Sequence, residues 1–467
     1  MKKGAVIGII CGILAVGIAG IGVSAAMILN SPSVKITRGF TKLINEYADS
    51  GSDVKKALGC DKLDLQEISD KYQVVFDAEV YDVEGLEDFS VGLDGLIQCD
   101  YENEKIKEEF SISLSYYELL SMQFAIDKTD VYIDIPALYD GSICFDSQNI
   151  DEQFNNSIFK NYFGTEIGEE LSFDIFQNNP RTLANSYSKL PNDVRKLIKN
   201  AKIEKADDAL VIQIGEQSVN CKGYVISIKK DDINALLKSY YEETGVTEES
   251  YLFDSDLEVL VYMDSKCNIK QIQTEEDIRI EGIDEGISVA IRLLGEKNAF
   301  DAMKVKIGTE VEGEDVEMDY AYSFGMEEKD AVLKLQLKAK TDETDLIGLD
   351  YDIVLDTESS EMDLEAEVNI ADTNMKIDGT GEMKADDATN TLEVSIQECD
   401  VIVDGEEIGS FDMSMRYEPL SEEINISPKK TYPIFEFTED DFSSFVLTCY
   451  ENLEEYSKMF EGLEDLY

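Results

Sequence analysis

The sequence contains no histidine and no tryptophan among its 467 residues, and it has only 7 prolines. Without histidine the chain cannot build a Ser-His-Asp triad, a Cys-His pair or a His-ligated zinc or haem site. Basic residues are also scarce: 41 Lys and Arg stand against 99 Asp and Glu, which gives a net charge of -58. Because this surplus repels phosphate backbones, we expect no nucleic-acid partner.

Apolar residues are not scarce, and this excludes a disordered acidic tail. The chain is 43% hydrophobic and 30% charged, so it has enough apolar side chains to bury a core. Its length corresponds to roughly two to three ordinary domains.

The amino terminus predicts a membrane anchor. Lys2 and Lys3 precede an uncharged stretch over residues 4–29, and about 26 helical residues span about 39 Å, which exceeds the hydrocarbon core of about 30 Å. The lysines favour a cytoplasmic amino terminus, so we expect a single-pass signal-anchor in the cell membrane with residues 31–467 extracytoplasmic. The alternative is a signal peptide cleaved near Ala25 or Ala26, where small residues suit the peptidase.

Seven cysteines follow the predicted anchor, and none belongs to a CxxC motif: Cys60, Cys99, Cys144, Cys221, Cys267, Cys399 and Cys449. With no histidine to complete a site, a structural zinc centre is not expected. We interpret most of them as small buried apolar residues rather than as a disulfide framework. The sequence predicts no cofactor, no metal site and no catalytic residue.

Two periodicities describe the remaining chain. A helical period predicts helices near residues 33–49, 191–203, 231–244 and 441–461. A period of two predicts strands, first at residues 72–81, where Val74, Phe76, Ala78 and Val80 alternate with more polar positions. Similar runs are these: Phe110–Leu114, Met122–Ile126, Val131–Ile135, Leu257–Met263, Asn268–Thr274, Ala331–Ala339, Tyr351–Leu355, Leu364–Ile370 and Leu392–Ile396.

These elements predict an α+β fold. It would contain antiparallel meander sheet, flat or curved, packed with a few helices behind one N-terminal transmembrane helix. The domains would be the anchor at 1–30, a first ectodomain lobe at 31–250 and a second β-rich lobe with the C-terminal helix at 251–467. A hairpin turning at Asp342–Asp345 should bring Lys338 opposite Asp350, so that lysines offset carboxylates across the sheet.

Candidate chemistry is sparse. Ser186–Lys189 fits the SxxK pattern and Ser147–Asn149 fits SxN, which resembles penicillin-binding proteins. Their order is reversed and no Lys-Thr-Gly follows, so we interpret them as exposed polar residues. Carboxylate pairs for glycoside hydrolysis cannot be singled out among 99 acids.

Cations are the remaining ligand class that the acids suggest. Glu310, Glu312 and Glu314 are expected to line one strand face and to bind divalent cations weakly. Asp356 and Glu367 have the spacing of a calcium loop, but Glu361 occupies the position that requires glycine. A hairpin turn is therefore the favoured interpretation there.

One hairpin suggests a family. The segment Leu257–Thr274, with its turn at Asp264–Asn268, resembles hairpins of bacterial envelope lipoproteins of the LolA/LppX kind. The whole plan, an anchor before an acidic β-rich ectodomain, resembles surface proteins of Gram-positive bacteria. These resemblances imply an envelope location and an apolar cavity.

We therefore expect a non-enzymatic, membrane-anchored binding or scaffolding protein of the cell envelope that holds an apolar ligand or an envelope protein partner. The alternatives are an envelope hydrolase that uses carboxylates, and a passive acidic surface coat or adhesin.

Overall fold

The computed structural model describes most of the chain beyond the predicted anchor. The described residues are 32–48, 52–64, 70–83, 89–115, 117–166, 176, 196–198, 200–244, 252–281, 283–311, 314–341, 344–370, 373–428 and 430–461. The predicted anchor at 4–29 and the Ser186–Lys189 segment lie outside them.

Most of the described residues form strands. The 21 strands are β1 Lys71–Tyr81, β2 Val91–Asp100, β3 Lys105–Leu114, β4 Tyr117–Asp127, β5 Asp130–Asp134, β6 Ser142–Asp146, β7 Lys202–Ile214, β8 Gln217–Ile228, β9 Leu257–Met263, β10 Ile269–Thr274, β11 Ile278–Ile280, β12 Ile283–Leu293, β13 Ala302–Val311, β14 Glu314–Glu327, β15 Asp330–Thr341, β16 Asp345–Asp356, β17 Glu361–Ile370, β18 Thr373–Asp386, β19 Thr391–Val403, β20 Glu406–Pro419 and β21 Thr431–Pro433. The helices are α1 Pro32–Ala48, α2 Ser52–Ala57, α3 Ile150–Asn156, α4 Phe159–Phe163, α5 Lys230–Thr244 and α6 Glu439–Glu461.

The expected α+β class is therefore wrong, because strands dominate the described chain. Three of the four predicted helices are confirmed as α1, α5 and α6. The fourth, at 191–203, is corrected at its end: Lys202 already begins β7, and 196–198 and 200 are its described helical residues. Among the helices of the described ranges, none is long and apolar enough to cross a membrane.

The residues divide into two compact units. The first unit comprises the described residues within Met1–Asp61, Thr182–Thr380 and Val401–Glu407, and the second those within Lys62–Arg181, Gly381–Asp400 and Ile408–Tyr467. Each unit joins separated stretches of chain. The division into lobes at residue 250 describes order along the sequence and stays a prediction about domains.

The first unit is an antiparallel sheet with its core beside two helices. Its strands pair in the order β7–β8–β9–β10–β12–β13–β14–β15–β16–β17, and β11 pairs with β12. Ile36, Phe40 and Leu43 recur at helical spacing on α1 and are buried in this core together with Ile233 and Leu237 of α5. Helix and sheet therefore share one apolar interior.

Close packing of α1 on the sheet depends on a glycine. A Cβ at Gly39 would stand 2.7 Å from the Met263 sulfur, so a larger residue would push the helix away. Lys42 then fixes the helix to the β9–β10 turn, because its ammonium donates to the Lys266 carbonyl at 2.7 Å and to Asn268 Oδ1 at 2.9 Å.

The outer face of the first unit carries the predicted lysine–carboxylate ladder with a shifted register. Lys338 lies opposite Gly348 rather than Asp350, and a bulge interrupts the register between Ala339 and Lys340. The ion pair still forms diagonally, with Lys338 Nζ at 3.7 Å from the Asp350 carboxylate. Lys334 lies directly opposite Asp352, and their charged atoms are 3.2 Å apart.

The second unit is a sheet in the order β20–β1–β2–β3–β4–β5–β6–β21, antiparallel except for the parallel β6–β21 pair. Its small core contains Cys99, Ile106, Ile126, Val131 and Phe176. The predicted runs at 72–81, Phe110–Leu114 and Met122–Ile126 are confirmed as parts of β1, β3 and β4.

Candidate apolar binding face

One side of the second-unit sheet is apolar over five neighbouring strands. Strand pairing places Val80 opposite Val91 and Phe411, while Phe76 lies opposite Gly95 and Met415, so these residues point to the same side. We call this side the apolar face. It consists of Val74, Phe76, Ala78 and Val80 of β1; Val91, Leu93 and Ile97 of β2; Phe110 and Ile112 of β3; Leu120, Met122 and Phe124 of β4; and Phe411, Met413 and Met415 of β20.

The side chains of the apolar face change from buried to solvent-exposed along the strands. At one end Cys99 is 3% exposed and Ile126 is 1% exposed, within the small core. At the other end Val80 is 42%, Val91 is 39% and Leu93 is 38% exposed, and on the edge strand β20 Met415, opposite Phe76, is 40% exposed. The residues between them are half-buried. The sheet therefore presents an apolar surface to solvent at one end.

Aromatic packing gives the middle of the face its shape. Phe76 and Phe110 lie on either side of Gly95, and their ring centroids are 5.9 Å apart. A Cβ at Gly95 would overlap the Phe76 ring. Glycine is thus required here because the ring packs directly over the strand, a known way of covering a glycine within a sheet.

The opposite side of the same strands carries most of their polar and charged side chains, alongside Val75, Leu96 and Ala125. Gln73 donates to the Glu418 carboxylate at 2.6 Å, and the Tyr81 hydroxyl donates to Asp412 at 3.0 Å. Asp77 lies directly across from Asp94. The pKa of Asp77 is raised mainly by a hydrogen bond between these two carboxyl groups and, to a smaller extent, by burial.

A single charged residue interrupts the apolar face. Glu108 of β3 lies directly opposite Ile97 and Phe124, and burial raises the pKa of its carboxyl group. Among the residues that the printed strand pairings place on this side of the five strands, it is the one charged side chain.

The first unit has a comparable apolar side over β14–β17. Tyr320, Leu337, Leu349 and Val368 follow one another across these strands and are half-buried. At its open end Ile370 is exposed. The combination of a charged outer side and a partly open apolar side is therefore present in each unit.

A cavity of about 670 Å³ also lies in the first unit. Its wall includes Glu46, Asp53 and Lys297. The Asp53 carboxylate pairs with Lys297 at 3.1 Å, and Glu46 Oε2 accepts from the Ala299 N–H at 3.1 Å. These charged groups hold the surrounding loops, and we assign no ligand to the cavity.

The residues singled out for catalysis do not form a site. Ser147 is buried and its N–H donates to the Thr129 carbonyl, while Asn149 precedes α3 in a left-handed conformation. Lys430, from the string nearest to Lys-Thr-Gly, pairs with Asp140 at 2.9 Å.

The predicted cation ligands are also placed differently. Val311 and Glu314 are paired residues beside the β13–β14 turn, and Glu310 lies opposite Asp315, so the three glutamates do not share one strand face; Glu312 lies outside the described residues. Within the described ranges, no group of three or more Cys, Asp or Glu could hold a metal ion. Weak cation binding stays a prediction.

The favoured hairpin at Asp356 is confirmed. The Asp356 carboxylate accepts from the N–H groups of Glu358 at 2.8 Å and Ser359 at 3.1 Å. The Lys329 ammonium, together with these N–H groups, lowers the pKa of Asp356 to about 2. The carboxylate therefore closes a turn between β16 and β17.

All seven cysteines beyond the predicted anchor are free thiols, and Cys99, Cys221 and Cys399 are buried. Burial raises the pKa of Cys221 to about 11. Cys60, Cys144, Cys267 and Cys449 are partly exposed, so the interpretation of most of the seven as buried residues is wrong.

No family model and no curated protein matches the chain. Among solved structures, it is similar to Pseudomonas putida OprB at low pH, with a TM-score of 0.27 and 6% identity over 80% of this chain and 96% of that chain. It is also similar to a Rhodopseudomonas blastica porin mutant, with a TM-score of 0.22 and 8% identity over 74% of this chain and 98% of that chain. Likenesses this distant carry no argument about activity.

Several expectations from the sequence are withdrawn. The sequence suggested LolA/LppX-like lipoproteins or Gram-positive surface proteins, whereas the solved structures found include Rhodopseudomonas blastica porin mutants, and that resemblance is withdrawn. The expected membrane-anchored envelope binding or scaffolding protein is withdrawn as well, together with the envelope hydrolase and the acidic coat or adhesin. The single-pass location is not retained either, and the segment at 4–29 on which it rested lies outside the described residues.

Proposed function

We propose that the protein carries molecules with a long apolar chain along the apolar face of its second unit, a non-enzymatic function of the transport type. The observation that supports this proposal is the gradient of the face, from core at Cys99 to open surface at Leu93. An apolar chain could lie along such a surface and exchange at its open end.

The dimensions of the face suit a chain. Five strands spaced by about 4.8 Å make it roughly 20 Å wide, and the step from Val74 to Val80 makes it about 20 Å long. The resulting area of about 400 Å² is in the range of the largest apolar patches on monomeric proteins, which are often functional.

The free energy of association requires the ligand's apolar chain to be long. Full burial contributes about 0.8 kcal/mol per methylene, and contact with an open surface contributes about half of that. Because association costs at least about 4 kcal/mol, contact with the face outweighs this cost only beyond roughly ten methylenes. Affinity should then rise about two-fold per added methylene.

The negative charge of the protein favours a small apolar ligand, rather than a second copy of the protein, as the occupant of the apolar face. Two copies would bring together two acidic chains of net charge -58 and two Glu108 carboxyl groups on apolar surfaces. An uncharged chain meets neither repulsion nor the need to desolvate a second carboxylate.

The proposal is tested with full-length protein and a fluorescent apolar probe displaced by alkyl alcohols of 8, 12 and 16 carbons. Affinity should rise with chain length and fall at least about ten-fold in Leu93→Asp, which places a charge at the open end. Asp94→Asn is the matched control, because it changes the adjacent residue on the polar side. Absence of probe binding, or equal binding by Leu93→Asp, would refute the proposal.

A further inference from the structure

Glu108 occupies a position where the rest of the face is apolar. Its neighbours along β3 on the same side are Ile106 and Phe110, and its partners across the sheet are Ile97 and Phe124. Its side chain is half-buried. A carboxyl group here loses part of its hydration and receives no compensation from these neighbours.

The carboxyl group also has no counter-charge. Across the described part of the chain, no hydrogen bond or ion pair to Glu108 is found, and the adjacent Lys107 pairs instead with Glu109, at 2.7 Å, on the polar side. The nearby thiol of Cys99 is a weak donor. The pKa of this thiol is raised mainly by burial, and the negative charge of Glu108 raises it further. The Glu108 carboxylate is thus a hydrogen-bond acceptor without a donor, and it faces any ligand that lies on the apolar face.

We infer that Glu108 selects the ligand's head group: the apolar face takes long-chain amphiphiles whose head donates hydrogen bonds and is neutral or positively charged, and it rejects long-chain carboxylates. This inference rests on the proposed function. A hydroxyl, amide or ammonium head satisfies the carboxylate, whereas an anionic head meets both Glu108 and the negative field of the whole chain.

The position of Glu108 also sets where the apolar chain lies. Beyond it in one direction are the filled core positions Cys99 and Ile126. In the other direction the face continues from Ile97 to Val91, six residues or about 20 Å. A head at Glu108 therefore places the chain along the open half of the face.

The test compares heads on one chain length. Dodecylamine, dodecanol and dodecanoate are used at pH 7 to displace the apolar probe from full-length protein. We expect dodecanoate to bind about ten-fold or more weakly than the amine, since hydrogen bonds to a charged group are the strong ones. Glu108→Gln should narrow this difference and Glu108→Lys should reverse it.

Glu109→Gln is the control, because Glu109 neighbours Glu108 but points to the polar side. An unchanged preference in Glu108→Gln, or equal affinity of all three compounds for the unmodified protein, would overturn the inference while the carrying function stands. The affinities of the three compounds are compared on the unmodified protein alone, so this second outcome does not depend on whether the variants fold. Failure of every compound to bind would overturn the proposed function and this inference with it.

Discussion

Replacement of two leucines by alanine distinguishes an open face from a core. Leu93 lies on the apolar face and is 38% exposed, whereas Leu293 lies in the first-unit core and is 0% exposed. Core Leu→Ala changes cost about 2–5 kcal/mol, because they remove transfer free energy and leave a cavity. Leu93→Ala leaves no enclosed cavity and loses only part of its burial, so we expect about 1 kcal/mol.

For the binding of an apolar probe, the larger effect should come from Leu93→Ala rather than from Leu293→Ala. Leu93→Ala removes contact surface at the open end and should weaken binding about two- to five-fold, the equivalent of about 0.4–1 kcal/mol. Leu293→Ala should leave the affinity of the folded protein unchanged. Urea unfolding followed by far-UV circular dichroism measures the first effect, and probe titration at constant protein concentration measures the second.

The result that would refute this reasoning is a similar stability loss in both variants with unchanged probe binding. Leu93 would then be covered by another part of the molecule, and the apolar face would be an ordinary core. Val91→Ala gives an independent check, because Val91 is 39% exposed and lies on the same side of β2.

Three further predictions follow from local geometry. Gly95→Ala should destabilise the protein by about 1–3 kcal/mol in urea unfolding, because the new methyl group displaces the Phe76 ring; no loss would show that the ring does not pack there. Asp77→Asn should raise stability at pH 7: the pKa of Asp77 is raised by its hydrogen bond with Asp94, so the native state favours the protonated form, and the stability of the unmodified protein declines as pH rises through that pKa. The advantage of the variant should disappear below the ordinary aspartate pKa, and pH-dependent melting that leaves it constant would contradict this origin. Cys221 should resist thiol reagents at pH 8 in the native state and react in urea, since burial raises its pKa to about 11; native labelling detected by mass spectrometry would contradict its burial.

The sequence predicted the elements with simple local patterns. The helix at 33–49 was found because Pro32 and the spacing of Ile36, Phe40 and Leu43 are local signals, and the structure has it as Pro32–Ala48. The alternation in β1 was equally clear. Val74, Phe76, Ala78 and Val80 do point to one side of the sheet, and the acids Asp77 and Glu79 point to the other together with Val75.

Several strands had no such signal. In β18 the residues Lys376, Asp378 and Lys384 give a polar pattern in which a half-apolar strand is difficult to recognise. Long strands of this kind explain why the fold class was wrong. At Lys202 the helical pattern continued into residues that belong to β7, because pairing with β8 outweighs local propensity.

The candidate site was only half predictable. Alternation along β1 predicted an apolar side, but not which strands extend it. Tyr81 and Asp412 are 331 residues apart in sequence and hydrogen-bonded across β1 and β20, a pairing that no local pattern indicates. Whether a side is covered depends on the whole fold, so local patterns could predict neither the open end at Leu93 nor the position of Glu108 on the face.

The acidic surplus and the open apolar face are connected. A sheet with an exposed apolar side normally associates with others of its kind. Here the opposite side carries Asp77, Asp94 and Asp412, and the chain as a whole has a net charge of -58. Repulsion between like chains acts over a screening length of about 8 Å at physiological ionic strength, whereas a neutral apolar molecule is not repelled. The same charge that opposes self-association therefore leaves the face available to a small apolar ligand, and Glu108 extends that discrimination to the ligand's head group.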